Sequence, residues 1–159
     1  MSDVTAAPPE QIAEEEAPLP TRRLLVFEVG GAAFACDMES VREIVPLSQI
    51  TRLPGAPNSV CGLINLRGAI VTVLDAGICL QKSGCARTGG LVLLVDYGEK
   101  LIGVGVDDVR DIQDATTDQL VEASPTESLA SGVVTGALEL EGERMPVLDI
   151  KAVVREVIG

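Results

Sequence analysis

Histidine is absent from the 159 residues of this chain, and aromatic side chains are almost absent. Histidine is the residue that most often transfers protons near neutral pH and binds transition metals, so its absence argues against a hydrolase or a zinc enzyme. The aromatic residues are Phe27, Phe34 and Tyr97, too few for a surface that stacks on single-stranded bases. The core must therefore be aliphatic, and its many β-branched residues favour a β-rich domain.

Basic charge is also scarce, with 12 Lys and Arg against 24 Asp and Glu and a net charge of -12. Such a field repels phosphate backbones and anionic lipid, which excludes nucleic acid as an expected partner. No apolar run approaches the roughly 18 residues that span a membrane, and the opening MSDVTAAPPEQ has no basic or apolar leader. We expect a soluble cytoplasmic protein without direct membrane insertion.

The four cysteines show no C-x-x-C pair and no regular framework. They are Cys36, Cys61, Cys79 and Cys85. Two interpretations are open: reduced, buried side chains that pack like valine, or a redox or metal site. The apolar neighbours of most of them favour the first, so we predict neither a metal nor another cofactor.

Residues 1–21 hold four of the nine prolines and five acids, with no Lys or Arg. This composition cannot bury enough apolar surface to offset the entropy of ordering, and it predicts a disordered tail. The tail is either a solvating leader or, as a second possibility, an arm that binds a partner. From Arg22 onward, short apolar runs separated by Gly, Pro and Asp predict strands, with LPGAP (53–57) as a fixed loop.

The second half of the chain repeats the first. Residues 26–43 align with 94–111, and residues 61–75 align with 135–149 through shared glycines and a shared V-L-D. Two β units are implied, at about 22–88 and 89–159. Each has about five strands suited to closing into a small barrel, and units this small should pack together and share a third apolar layer.

Both copies end in an aspartate, Asp75 or Asp149, placed to cap a helix. After Asp149, apolar residues recur at helical spacing and predict an amphipathic C-terminal helix that docks on a barrel. They are Ile150, Val153, Val154, Val157 and Ile158.

No catalytic residue is predicted. The acids Asp107, Asp108, Asp111 and Asp114 cluster along the chain, but linear clustering does not show convergence in a pocket, and a solvated acidic rim is favoured. In the nearby strand, Gly103 shares one face with Gly105. That face predicts a shallow groove floor that another backbone or helix approaches closely.

Arg67 occupies the turn of GLINLRGAIVTVLD (62–75), and its counterpart in the second copy is Glu141. The repeat preserves the following glycine and strand but reverses the charge, so the fold does not require a cation there. Arg67 is therefore either a solvated turn residue or an anchor for an acid or a partner. Glu43 is the acid we expect it to pair with.

The stretches LLVFEVGGAAFACDMESVREIV, ITRLPGAPNSVCGLINLRGAIVTVLD, LIGVGVDDVRDI and TGALELEGERMPVLDIKAVV run in order through residues 22–159. Together they resemble the CheW-like proteins, the coupling proteins of bacterial chemotaxis arrays. The resemblance implies an all-β fold of two SH3-like five-stranded barrels related by a pseudo-twofold axis. It departs at Thr72, where the family usually has proline, and at Ala76 and Gly77, where it has Leu-Arg.

The resemblance also implies a function. CheW-like proteins are non-enzymatic adaptors that bind the signalling tip of methyl-accepting receptors and the regulatory domain of the histidine kinase CheA. Carried over by motif, Val41, Glu43 and Arg67 belong to the surface around the receptor groove, and the strand at 102–106 would line it through Ile102, Gly103 and Val104. The kinase-binding surface is not assigned. Alternatives are an adaptor of a twitching or other non-flagellar pathway and a small thiol- or carboxylate-dependent enzyme.

Overall fold

The computed structural model describes residues 21–80, 90–124 and 132–158. The predicted tail, apart from Thr21, and Cys85 lie outside these ranges. The strands are β1 Thr21–Val29, β2 Ala32–Asp37, β3 Glu43–Pro46, β4 Val60–Leu66, β5 Ala69–Asp75, β6 Leu91–Tyr97, β7 Lys100–Val106, β8 Asp108–Thr116, β9 Leu120–Val121, β10 Val134–Leu140 and β11 Glu143–Leu148. The α-helices are α1 Ala76–Cys79 and α2 Ile150–Ile158, and short 3₁₀ turns form at Met38–Ser40 and Thr117–Gln119.

The strands form two curled sheets with matching orders. Sheet A runs β8-β1-β2-β11-β10-β9, and sheet B runs β3-β6-β7-β5-β4. Each sheet joins two antiparallel hairpins through a parallel contact, between β2 and β11 in sheet A and between β5 and β7 in sheet B. The mainly β fold of two related units, with a C-terminal helix, is thus confirmed.

The sheets do not follow the boundary between the repeats. The β1–β2 hairpin of the first copy lies in sheet A beside strands of the second, and the β6–β7 hairpin of the second copy lies in sheet B. The expectation that each copy closes on its own strands is wrong in this respect. Each exchanged hairpin buries one face in the interior of its sheet and the other in the shared layer, so both faces are covered.

Three apolar clusters account for the burial. One fills the interior of sheet A: Leu24, Val26, Ala35, Ala115, Leu138, Met145 and Val147. A second fills the interior of sheet B: Leu47, Ile64, Val71, Val73, Val92 and Leu94. The third and largest combines residues of both sheets and α2, which confirms the predicted shared layer. Along β1, Leu24 and Val26 face the sheet A interior while Leu25 and Phe27 face the shared layer.

The two predicted helix caps are confirmed. One carboxylate oxygen of Asp75 accepts from the amide of Gly77 at 2.8 Å, and one of Asp149 accepts from the amide of Lys151 at 3.1 Å. Each bond satisfies a donor that the first helical turn leaves unpaired. Helix α2 buries Ile150, Ala152, Val153 and Val154 in the shared layer, whereas Ile158, predicted on the same face, is 38% exposed.

Candidate protein-binding surface

The β4–β5 hairpin ends in a two-residue turn that places Arg67 in a backbone conformation unusual for a side-chain-bearing residue. Arg67 has φ +50° and Gly68 has φ +90°, and the flanking Leu66 and Ala69 pair directly. Positive φ at both central residues is typical of the type I′ hairpin turn, whose twist matches that of the strands. The turn thus holds the arginine at the tip of the hairpin.

Asn65 ties this turn to the strand that precedes it. Its side-chain carbonyl oxygen accepts from the amide of Gly68 at 2.9 Å. The side chain of Asn65 is exposed, so the bond is a surface contact and not part of the core.

Arg67 forms a bidentate ion pair with Glu43, the first residue of β3. The guanidinium nitrogens Nη2 and Nη1 lie 2.7 and 3.2 Å from the two carboxylate oxygens. The hydrogen bond from Arg67, together with its charge and that of Arg42, lowers the pKa of Glu43, and the same pair raises the pKa of Arg67. The predicted pairing is confirmed. Both groups are charged at neutral pH, and 67% of the Arg67 side chain remains exposed to a partner.

The Arg67 side of the pair borders a cleft. Asn65 and Arg67 line this cleft of about 420 Å³, which lies between β4 with its turn and the end of β3 with the segment after it. The rest of the lining is Val45, Pro46, Ser48, Gln49, Thr51, Leu63, Ile64 and Leu66. A fixed charge therefore stands beside a partly apolar concave surface, a combination suited to recognising another protein.

The other residues predicted for this surface lie in the core. Val41 and Ile102 are 6% and 4% exposed, and Val104 is fully buried, all within the shared layer. Gly103 faces the sheet B interior, where an added Cβ would meet Val92. The expected groove floor over the glycine face is wrong, because sheet B curls over that face. A role for these four residues in receptor binding stays a prediction.

Two ion pairs that sequence reasoning missed join the exchanged halves. Arg42 pairs with Asp96 at 2.9 Å, and Arg110 pairs with Glu28 at 3.0 Å. The repeat alignment contained the signal, because it matches Arg42 with Arg110 and Glu28 with Asp96. These pairs relate the two copies across the exchange.

Residues of sheet A and the turns beside it line the equivalent cleft, of about 500 Å³, with opposite charge. Its lining includes Asp111, Glu139, Glu141 and Glu143. Arg110 lies among them and bonds to Glu143 as well as Glu28, contacts that raise its pKa. The turn at its edge repeats that of Arg67, with φ +50° at Glu141 and +83° at Gly142.

The acids considered as catalytic candidates take structural partners. Asp107 accepts from the amide of Gly30 at 2.8 Å, and Asp114 pairs with Arg23 at 3.1 Å. Asp108 accepts from the amide of Val109, and Asp111 accepts from the side chain of Gln113. Within residues 21–80, 90–124 and 132–158, no group of Cys, Asp and Glu is arranged to hold a metal ion.

The pKa values of two thiols are shifted in the direction that lowers their reactivity. Burial, with a smaller effect of Asp37, raises the pKa of Cys36 to about 12, and burial with the charge of Asp75 raises that of Cys79 to about 11. A reactive thiol needs the opposite shift. Cys36 and Cys79 are free thiols. In the part of the chain that is described, no helix is long and apolar enough to cross a membrane.

Two curated proteins and one solved structure illustrate what this chain is similar to. The chemotaxis protein CheW of Klebsiella aerogenes is 32% identical over 129 residues, which cover 80% of this chain and 77% of that protein. Protein PilI of Pseudomonas aeruginosa is 30% identical over 100 residues, 62% of this chain and 56% of that protein. The crystal structure of the scaffolding protein TtCheW from Thermoanaerobacter tengcongensis matches with a TM-score of 0.74 at 20% identity, covering 84% of this chain and 92% of that one.

The family model of the CheW-like domain matches residues 23–157. The match begins at the third residue of β1 and ends one residue before the end of α2, so it spans both sheets. This range contains both repeats, both clefts and the Glu43–Arg67 pair. The chain belongs to the CheW-like family.

Proposed function

We propose that this chain is a cytoplasmic adaptor that couples methyl-accepting chemoreceptors to a CheA-type histidine kinase in a chemosensory array. The observation that carries the proposal is the exposed bidentate pair of Glu43 and Arg67 at the edge of a partly apolar cleft. An exposed pair adds little to folding stability. The second copy folds with a glutamate in the same turn, so the fold does not require the cation, and we propose that it serves binding.

A charged, preorganised pair suits recognition of a helical receptor tip. Hydrogen bonding to Glu43 fixes the guanidinium while most of its surface stays open, so a partner's acceptor meets an oriented donor. Preorganised charge contributes mainly to specificity and to the rate of association. We propose that the kinase binds a different surface, not assigned to residues, so that the adaptor can hold both partners at once.

The test is a binding experiment with a purified CheA-type kinase and a receptor signalling-tip fragment, each titrated separately against the full chain. The variant Arg67→Glu should lose the receptor fragment and keep the kinase. Arg23→Glu is the matched control, since it makes the same charge change at an exposed ion pair, with Asp114, on sheet A. Wild-type protein that binds neither partner would disprove the proposal.

An adaptor in a twitching or other non-flagellar pathway is the second candidate, and the similarity to Protein PilI favours keeping it. The two candidates share the same surface and differ in the identity of the kinase. Affinity capture from the source cells, followed by identification of the co-purified kinase, separates them.

A thiol- or carboxylate-dependent enzyme is the least favoured function. The raised pKa values of Cys36 and Cys79 keep both groups as thiols at neutral pH. We infer that the protein has no enzymatic activity. Alkylation of a single cysteine that abolished partner binding without unfolding would contradict a purely structural role for the thiols.

A further inference from the structure

We infer that Asn65 is a positioning residue for Arg67, an inference that rests on the proposed function of the Glu43–Arg67 pair. The side-chain oxygen of Asn65 accepts from the amide of Gly68, the residue directly after the arginine. This bond fixes the turn against β4, from which the Arg67 side chain reaches Glu43 on β3. Asn65 itself makes no part of the ion pair and acts through the backbone of the turn.

The second copy shows that the turn itself does not depend on this amide. Glu139 occupies the position equivalent to Asn65, and its carboxylate bonds to Arg144 at 2.6 Å. The turn after it nevertheless has φ +50° and +83°, close to the values at Arg67 and Gly68. The asparagine bond is thus an addition to a turn that the glycine and the strand pairing already specify.

What the bond adds is orientation. A bidentate pair requires the planar guanidinium to contact both carboxylate oxygens. Movement of the turn relative to the strand ends therefore breaks one of the two hydrogen bonds. Only molecules in which the pair is aligned can bind a partner. The apparent Kd is the intrinsic Kd divided by this aligned fraction, so it rises as the fraction falls. A net hydrogen bond of ordinary strength corresponds to a change of about three- to tenfold.

The experiment compares Asn65→Ala, which removes the acceptor, with Asn65→Asp, which retains it. Glu139→Ala is the matched control at the equivalent position of the second copy. Three quantities are measured on the full chain: the pKa of Glu43 by NMR titration, hydrogen exchange of the Gly68 amide, and the Kd for the receptor signalling-tip fragment.

In Asn65→Ala we expect the pKa of Glu43 to move up toward its ordinary value, faster exchange at Gly68, and a Kd about three- to tenfold weaker. Asn65→Asp should keep the Gly68 amide protected and bind more tightly than Asn65→Ala, while Glu139→Ala should leave all three quantities unchanged. An unaltered Glu43 pKa in Asn65→Ala would overturn the inference.

The readouts also separate this inference from the proposed function. If the wild-type chain does not bind the receptor fragment, the proposed function fails, yet the Glu43 pKa and the Gly68 exchange still decide whether Asn65 positions Arg67. If binding weakens in Asn65→Ala without a change in the Glu43 pKa, Asn65 contacts the receptor directly and the positioning role is wrong.

Discussion

The ends of the β4–β5 and β10–β11 hairpins have the same backbone and opposite chemistry. Both turns place a charged residue at φ +50° before a glycine at positive φ, and both strands before the turn carry an irregularity in register near a glycine. One turn presents Arg67 and the other Glu141. The fold therefore specifies the glycine and the buried alternation of the strands, and it leaves the sign of the charge at the tip free for function.

Two of the other ion pairs show how a pair that follows the repeat differs from Glu43 with Arg67. Arg42 with Asp96 and Arg110 with Glu28 are kept in both copies, and each joins a residue of one copy to a residue of the other. Glu43 with Arg67 lies within a single copy and is not repeated. Pairs that relate the exchanged hairpins follow the symmetry of the fold, and the pair proposed for binding departs from it.

Exchanging the charges of the two turns should produce the largest effect. We expect Arg67→Glu to weaken binding of the receptor fragment by about a hundredfold or more, because it sets two like charges at the docking face. Glu141→Arg, the reverse change in the second copy, should leave that binding intact. Isothermal titration with the receptor fragment measures both.

The double variant Glu43→Arg with Arg67→Glu tests whether the pair acts as a unit, and it should recover part of the lost affinity. Thermal unfolding of all these variants should stay close to wild type, because the pair is exposed. If Arg67→Glu binds like wild type, Arg67 is only a solvated turn residue and the two turns do not differ in function.

Replacing the glycines near the register shifts by alanine should have the next largest effect, which is a loss of unfolding free energy. Gly62 has φ +150°, and a Cβ there would overlap the carbonyl oxygen of Thr51, which is held by a 2.8 Å bond from the amide of Leu63. Gly62→Ala should cost about 2–4 kcal/mol of unfolding free energy. At the equivalent Gly136, a Cβ would lie 3.0 Å from the carbonyl oxygen of Val121, and Gly136→Ala should cost about 1 kcal/mol.

Denaturant unfolding of the two alanine variants measures this difference. The loss should be larger at Gly62 because an added Cβ there overlaps a backbone oxygen at a positive φ, whereas at Gly136 it only makes a tight contact of 3.0 Å. Equal losses of unfolding free energy in the two variants would contradict this expected difference between the two copies.

The repeat was sufficient to predict two related β units, a shared apolar layer and both aspartate caps, because glycines, V-L-D and apolar runs recur at fixed offsets. It was not sufficient to predict the hairpin exchange. Strand pairing partners are set by which faces need cover, and an apolar run such as that of β1 does not say which sheet covers it. Ile102, Gly103 and Val104 were assigned to a surface through the family resemblance, and the structure buries all three.

The Glu43–Arg67 pair was predicted at a position where the two copies differ in charge. Arg67 differs in charge from Glu141, and Glu43 was the acid expected nearby, so their pairing followed from sequence. Asn65 escaped notice as a positioning residue, because its bond to the Gly68 amide depends on a turn geometry that residue types alone do not fix.

The shared layer offers a third comparison, whose effect is absent at neutral pH and develops only in alkali. Cys36 in the first copy corresponds to Val104 in the second, and both are fully buried. Burial raises the pKa of Cys36 from 9.0 to about 12. Between these values the unfolded chain loses the thiol proton and the folded chain keeps it, so unfolding becomes easier as pH rises, by about 1.4 kcal/mol per pH unit.

Cys36→Val, which copies the residue of the second repeat, should remove this alkaline loss while nearly preserving volume. The measurement is the free energy of unfolding of both proteins from pH 8 upward, taken as a difference so that other titrating groups cancel. Parallel curves for the two proteins would show that the thiol does not titrate differently in the folded and unfolded chains.

Removing residues 1–20 should have the smallest effect, because both repeats begin after this segment and β1 starts at Thr21. The segment has five acids and no Lys or Arg, so its removal takes the net charge from -12 to -7. Without apolar anchors it should contribute little to stability, and we expect Tm to stay within about one or two degrees and kinase binding to be unchanged. Loss of the self-repulsion can at most raise Tm slightly at low salt, a change that added salt should remove. A fall of several degrees, or weaker kinase binding, would instead mean that the segment packs on one of the two sheets or contacts the partner.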